Sequence, residues 1–161
     1  MTMTLVETIT VGSGGAASME FAGIPGDGKD LLLLISGRNS LGNFGAPLEI
    51  NGSTANQSGI HLRGTGNSTN NGTGTAVQGF INPDNYTSNT FGNSSVYISN
   101  YASSTAKSVS HDGVVENNGT GSYSEIGAYL WDNTAAITSL MLYTFEGTYL
   151  EHTTASLYII S

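Results

Sequence analysis

The sequence has no cysteine, few charged residues and no long apolar run. Without cysteine the fold has no disulfide, no thiolate metal site and no thiol nucleophile. Charged residues make up only 10% of the 161 positions, well below the roughly 25% typical of globular domains. The longest apolar run, at 31–35, falls far short of the roughly 20 residues that a membrane-spanning helix needs. We therefore expect one domain with a neutral polar surface and no membrane partner.

Positive charge is the scarcest property of the chain, with four Lys and Arg residues against twelve Asp and Glu. The resulting net charge of −8 opposes binding to phosphate backbones, because affinity for them comes from Lys and Arg. The same sign opposes anionic membrane surfaces. We therefore expect no nucleic-acid partner.

Short alternating segments, separated by Gly, Asn, Asp and Ser, fill the chain instead, and they are typical of strands. No segment has the 3.6-residue period of a helix of useful length. About ten strands are predicted by this criterion, at 4–11, 18–22, 30–38, 47–51, 59–63, 76–81, 94–101, 106–115, 123–131, 137–145 and 155–160. The pattern predicts an all-β, two-sheet β-sandwich of jelly-roll type, as a single domain over 1–161 with 1–7 as an N-terminal arm.

Two segments carry specific structural predictions. The run DLLLLISGR at 30–38 is almost continuously apolar, which predicts a central strand covered on both faces. The run GTGNSTNNGTGT at 64–75 has no side chain large enough to bury, which predicts an exposed loop.

Several stretches together resemble a family of small phage structural proteins from particles that infect aquatic bacteria, including cyanophage-like ones. They are FAGIPGDGKDLLLLISGRNS at 21–40, LEINGS, HLRGTG, VYISNYASSTAKS at 96–108, WDNTAAITSLMLYTF and ASLYII. Many relatives end in Tyr-Gly-Ile, whereas this chain has Tyr158, Ile159 and Ile160. The resemblance covers most of the chain and implies a jelly-roll trimer of the virion decoration, fibre or tail-associated kind. Some members of this family belong to long fibres with N-terminal attachment domains. This sequence shows no such domain, so we expect a free-standing decoration protein.

Candidate catalytic groups each have a simpler interpretation. His111 and Asp112 are adjacent, but no nucleophile elbow accompanies them, so a solvated hairpin is expected rather than a hydrolase. His61 and His152 lack metal-ligand spacing and are expected on strand surfaces. Glu125 and Asp132 are too far apart along one strand for a glycosidase pair.

The segment NPDNYT at 82–87 is rich in oxygen donors of the kind that Ca²⁺ prefers. It lacks the spacing of an EF-hand, and a turn stabilised by Asx side chains explains it equally well. We expect no metal ligand and no cofactor. Trp131 and the eight tyrosines could stack on sugars, but burial in the core or in an interface is the more common role of such rings.

The sequence thus predicts a non-enzymatic decoration (cement) protein on the capsid exterior, present in the host cytoplasm during assembly. It would bind the major capsid protein as a homotrimer. Contacts are expected at the N-terminal segment and at two polar loops, 64–75 and 117–122. The residues assigned to them are Met1, Thr2, Met3, Thr4, Leu5, Gly64, Asn67, Asn70, Asn71, Asn117 and Asn118. The alternative is a receptor- or carbohydrate-binding domain of a tail or fibre, with host glycan as partner; a polysaccharide-degrading enzyme is a third.

Overall fold

The structure is a computed structural model, and it describes residues 1–116 and 122–161. The regular elements of these residues are all strands, twelve rather than about ten. No helix in this part of the chain is long and apolar enough to cross a membrane. The strands are β1 (Met3–Thr10), β2 (Ser18–Ala22), β3 (Asp30–Gly37), β4 (Gly45–Ile50), β5 (Gln57–Thr65), β6 (Ser68–Gly74), β7 (Gln78–Phe80), β8 (Gly92–Ile98), β9 (Lys107–Val115), β10 (Tyr123–Trp131), β11 (Ser139–Tyr143) and β12 (Thr154–Ile160).

The strands form two antiparallel sheets of unequal size. The large sheet has the order β1-β12-β3-β8-β9-β10-β5-β6, and the small sheet has the order β2-β11-β4-β7. Five pairs are nested along the chain, β1 with β12, β2 with β11, β3 with β8, β4 with β7 and β5 with β6. The hairpin β9–β10 is inserted between β8 and β5. An all-β architecture of two sheets, consistent with a β-sandwich, is thus confirmed.

The apolar core lies between the small sheet and the β12-β3-β8 part of the large one. Strand alternation supplies it, because every second residue points inward, and each fully buried large side chain stabilises the fold by about 2 kcal/mol. β11 shows the principle: Leu140 and Leu142 are buried, whereas Met141 between them is half-buried. Besides the buried Trp and Tyr rings, the core includes Met19, Phe21, Leu31, Leu33, Ile35, Leu48, Ile50, Leu140, Leu142 and Leu157.

β3 lies inside the large sheet, between β12 and β8, as its apolar sequence suggested. Its burial nevertheless alternates, with Leu31, Leu33 and Ile35 buried and Leu34 exposed. The expectation that both faces are covered is wrong, because the small sheet packs against one side of the large sheet only. The outward leucines of β3 therefore belong to the surface.

A segment expected to be an irregular loop is a strand at one edge of the large sheet. The predicted loop at 64–75 contains β6, which pairs with β5 along its length. The error arises because an edge strand is held by backbone hydrogen bonds to its neighbour and needs no buried side chain. At the other edge, the strand predicted at 4–11 is observed as β1, which pairs with β12 and includes most of the N-terminal segment 1–7. The expected exposure of the 64–75 segment is nevertheless observed for most of β6.

The aromatic residues divide as expected between core and surface. Trp131, Tyr101, Tyr129 and Tyr149 are buried. Tyr149 donates a hydrogen bond from its hydroxyl to the Tyr143 carbonyl, and burial raises its pKa well above the usual value. These rings are structural rather than available to a ligand.

Candidate functional site

Strands β5 and β10 carry apolar side chains on their solvent-facing side. Ile60, Leu62, Ile126 and Leu130 have exposed fractions of 64%, 49%, 59% and 39%. Ile126 lies opposite Leu62, and Ala128 lies opposite Ile60. We call these five residues, Ile60, Leu62, Ile126, Ala128 and Leu130, the outer-sheet patch. Contiguous exposed apolar surface of this kind marks interaction sites more often than isolated exposed leucines do.

The outer-sheet patch continues as a neutral surface onto neighbouring strands. Tyr97 of β8 and Val114 of β9 are exposed on the same side, and the patch contains two shallow depressions of about 540 and 580 Å³. Among the outward-facing residues of β5, β8, β9 and β10, which the structure describes fully, Asp112 is the one charged residue. It accepts a short hydrogen bond from Ser95. The surface is therefore suited to a neutral partner face.

The inward side of the same strands carries charge. Glu125 is fully buried, and its Oε2 accepts a hydrogen bond of 2.7 Å from Arg63 Nε. His111 Nε2 lies 3.2 Å from the other oxygen, Oε1, close enough for an ion pair but poorly aligned for a hydrogen bond. We call Arg63, His111 and Glu125 the buried charge cluster. It corrects the expectation for His111, which is a buried residue rather than part of a solvated hairpin.

Opposing effects set the ionisation of Glu125. Burial raises the pKa of its carboxyl, but contacts with His111 and Arg63 outweigh burial and hold the pKa below the usual value. Burial, reinforced by the negative charge of Glu125, raises the pKa of Tyr129 to about 12. Glu125 is thus the anion of the cluster and Tyr129 its neutral neighbour.

Aromatic rings enclose the buried charge cluster. The His111 ring stacks on Tyr129 with a centroid distance of 5.5 Å, and the Arg63 guanidinium lies 5.0 Å from the centre of the Phe80 ring. Glycine makes room for this packing at Gly127, where an added Cβ would come within 2.6 Å of the Tyr129 ring and 2.8 Å of His111. The cluster is therefore closely packed and has no room for a substrate between its members.

His61 also faces inward, which corrects the expectation of a strand-surface residue. Its side chain is close enough to Glu125 for its charge to lower the pKa of that carboxyl. The Nδ1 atom of His61 is buried and has no hydrogen-bond partner among the described residues. His152, in contrast, is exposed in a turn with a φ of 71°.

Apolar side chains outside and charged side chains inside depart from the usual arrangement of a half-buried strand, although the same inward side also buries Val109, Tyr129 and Trp131. Sequence alternation predicted β5, β9 and β10 as strands, but it did not decide which of the two alternating sets of side chains faces the core, because a shift of one residue exchanges the two sets. One weak signal was that Arg63 and Glu125 each stand between small or apolar residues.

The predicted contact residues fall at opposite edges of the large sheet. Met1, Met3 and Leu5 are exposed at the β1 edge, together with Thr2 and Thr4. Gly64, Asn67, Asn70 and Asn71 lie in the β5–β6 hairpin at the other edge. Asn117 and Asn118 lie outside the described residues. With strands about 4.8 Å apart, the two edges are separated by roughly 30 Å, so they form two surfaces rather than one.

The oxygen-rich segment at 82–87 surrounds the side chain of Arg38 and does not form an open set of metal ligands. The Arg38 guanidinium donates to the carbonyls of Asp84, Tyr86, Thr87 and Thr90, each at 2.9 Å. Carbonyl oxygens that could have faced a cation therefore already face a positive charge. Among the described residues, no group of three or more His, Asp or Glu side chains is placed to hold a metal ion.

The molecule thus has an exposed apolar face, a charge cluster beneath it of which only Arg63 is partly exposed, and two exposed edges of the large sheet. The first and last of these present groups to a partner, whereas the cluster organises the interior. No family model, no curated protein and no solved structure is significantly similar to this chain.

Proposed function

We propose that this chain is a non-enzymatic virion protein of jelly-roll topology that decorates a phage capsid as a homotrimer. Its location is the capsid exterior, after a period in the host cytoplasm during assembly. The nested strand pairs support the jelly-roll assignment, because a jelly roll is a long hairpin rolled into two sheets. The sequence resemblance supports the phage assignment.

The observation that carries the proposal is the inverted burial of β5 and β10. Placing Glu125 and Arg63 inside while leaving Ile60 and Ile126 in water is unfavourable for an isolated sandwich. It becomes favourable when another surface covers the outer-sheet patch, because the apolar area is then removed from water. The inversion therefore supports an assembling protein.

We assign the outer-sheet patch to contacts between copies of this chain. Each copy carries a net charge of −8, so two copies repel each other wherever acidic residues meet. The outward side of β5 and β10 has no charged residue, and Asp112 of β9 is the one at its border. Identical acidic chains can approach there without bringing carboxylates together.

The β1 edge is the surface assigned to the major capsid protein. Met1, Met3 and Leu5 expose apolar side chains there, and one side of β1 has no strand partner among the described residues. An open edge offers backbone N–H and C=O groups to an added strand. Three such edges in a trimer raise the effective concentration of each successive contact, so individually weak contacts suffice.

Oligomeric state tests the assignment to self-contacts. Analytical ultracentrifugation should give a species of three times 16.7 kDa. Ile126→Lys should shift it to the monomer mass without loss of β-sheet circular dichroism. The control is Leu41→Lys, because Leu41 is also an exposed aliphatic residue but lies outside the patch. A monomer in the unmodified chain, or a trimer in Ile126→Lys, would contradict this assignment.

Particle binding tests the decoration role separately. Purified capsids should bind the chain in hundreds of copies, and the double variant Met3→Lys, Leu5→Lys should remain trimeric but bind far less. Both side chains are exposed, so their replacement leaves the core intact. Binding of only a handful of copies, or undiminished binding by the double variant, would overturn the proposal in favour of a tail location.

A further inference from the structure

A cleft lies where the β5–β6 hairpin meets the small sheet, and it shares His61 and Thr73 with the depression of about 580 Å³ in the outer-sheet patch. It has a volume of about 340 Å³ and is lined by His61 and Thr73 from the hairpin, Gln78 of β7, Tyr143 of β11 and Phe145 beyond it. Threonines at 54 and 75 complete its rim. This volume lies at the small end of the range for ligand sites, which begins at about 300 Å³. We refer to it as the hairpin cleft.

The polar groups of the hairpin cleft are available to a ligand. The hydroxyls of Thr54, Thr75 and Tyr143 and the amide of Gln78 make no hydrogen bond within the described residues. Polar groups at a half-buried position are normally hydrogen-bonded to protein or to water. Several such groups converging on one cleft form a set of donors and acceptors that a hydroxyl-bearing ligand would satisfy.

An aromatic ring forms one wall of the hairpin cleft. Phe145 has an exposed fraction of 55%, and its ring is held edge-on to Tyr143 at a centroid distance of 6.0 Å. An added Cβ at Gly45 would come within 3.2 Å of the Phe145 ring, so the backbone packs closely against it. The ring is therefore oriented before a ligand arrives, which limits the entropy lost on binding.

The lining of the hairpin cleft contains no Lys, Arg, Asp or Glu side chain. A phosphate or carboxylate ligand would find no cationic partner, and a cationic ligand would find no anionic one. The chemistry therefore favours a neutral ligand that combines an apolar face with several hydroxyls.

From this combination we infer that the hairpin cleft binds a neutral carbohydrate unit, with the C–H face of the sugar ring on Phe145. Its hydroxyls hydrogen-bond to the side-chain amide of Gln78 and to the hydroxyl of Tyr143. A pyranose ring has the required alternation of an apolar face and a polar rim. This site is independent of the decoration role, because neither the outer-sheet patch nor the β1 edge contributes a residue to it.

Amide chemical-shift titration of the full chain tests the inference. Glucose, galactose, mannose and N-acetylglucosamine serve as neutral probes at millimolar concentration, and glucuronic acid serves as a charged one. At least one neutral sugar should shift the backbone amides of Gly74 and Gln78 and the side-chain amide of Gln78. Glucuronic acid should bind more weakly than the neutral sugar.

Phe145→Ala should weaken binding of that sugar by about tenfold or more, as expected for loss of a stacking ring. Its matched control is Leu34→Ala, because Leu34 is likewise an exposed apolar residue, at 38%, and belongs neither to the hairpin cleft nor to the outer-sheet patch. The control should bind the sugar with unchanged affinity. The inference is overturned if no neutral sugar shifts these amides, if glucuronic acid binds more tightly, or if Phe145→Ala binds as well as the unmodified chain. None of these outcomes bears on trimer formation or on particle binding.

Discussion

Replacing Glu125 by Gln removes the anion of the buried charge cluster while keeping the shape of the side chain. Arg63 and His111 then lose the charge that both of them face. Removing one partner of a buried ion pair destabilises a protein by about 3–5 kcal/mol. The Arg63 side chain is 28% exposed, so water recovers part of the loss, and we expect the lower end, about 3 kcal/mol. For a chain of this size that corresponds to a fall in Tm of about 6–12 °C near neutral pH.

The difference between Glu125→Gln and the unmodified chain should depend on pH in a defined direction. The pKa of Glu125 is lower in the folded protein than its usual value of 4.5. A lowered carboxyl pKa contributes stability that is fully present above the unfolded pKa and is lost as pH falls through the folded one. The gap in Tm should therefore be full above pH 4.5 and should close as the solution is acidified further.

Thermal melts followed by circular dichroism at a series of pH values would measure this gap. Glu20→Gln is the matched control, because Glu20 also lies in a strand but is exposed, and exposed substitutions usually change stability by less than about 0.5 kcal/mol. The reasoning is refuted if Glu125→Gln destabilises the fold no more than Glu20→Gln does. It is also refuted if the gap in Tm persists unchanged in strong acid.

Three further measurements test other packing and hydrogen-bonding contacts of the fold. Gly127→Ala should destabilise the fold by about 1–3 kcal/mol in denaturant melts, because the added Cβ would clash with the Tyr129 and His111 rings. Gly64→Ala is the control and should leave the stability nearly unchanged, because the nearest atom to its added Cβ would be 3.9 Å away. Arg38→Lys should accelerate amide hydrogen exchange at 84–90, because an ammonium cannot reach all four carbonyls; unchanged exchange would contradict this. In a titration followed at 295 nm, Tyr86 and Tyr129 should ionise late, since burial is the main cause that raises the pKa of each to about 12, and Tyr129→Phe should remove part of that late amplitude.

Strand positions were predictable because alternation is a local property of the chain. β2 was predicted at the bounds observed, and β10 likewise. β6 was not, since its sequence of Ser, Thr, Asn and Gly is also typical of loops and only the presence of β5 beside it makes it a strand. Local composition does not contain that information.

The buried charge cluster was not predictable because it depends on the phase of three strands relative to one another. Arg63 and Glu125 are 62 positions apart and meet only through the register of β5 against β10. His111 joins them through the register of β9 against β10. The alternation that predicts a strand is the same whichever side faces the core, so the sequence alone indicated neither the cluster nor the outer-sheet patch.

The guanidinium of Arg38 takes the place that a bound cation could have among the carbonyl oxygens of the 84–90 loop, and it is covalently attached to the chain. A loop organised around a bound metal cation loses its shape when that cation is diluted or chelated. The 84–90 loop is organised around the guanidinium of Arg38, the residue that follows β3, and this positive group cannot dissociate from the chain. The 84–90 segment should consequently keep its conformation in ion-poor water and in the presence of EDTA. The surface that this loop forms would then be independent of the dissolved ions around it.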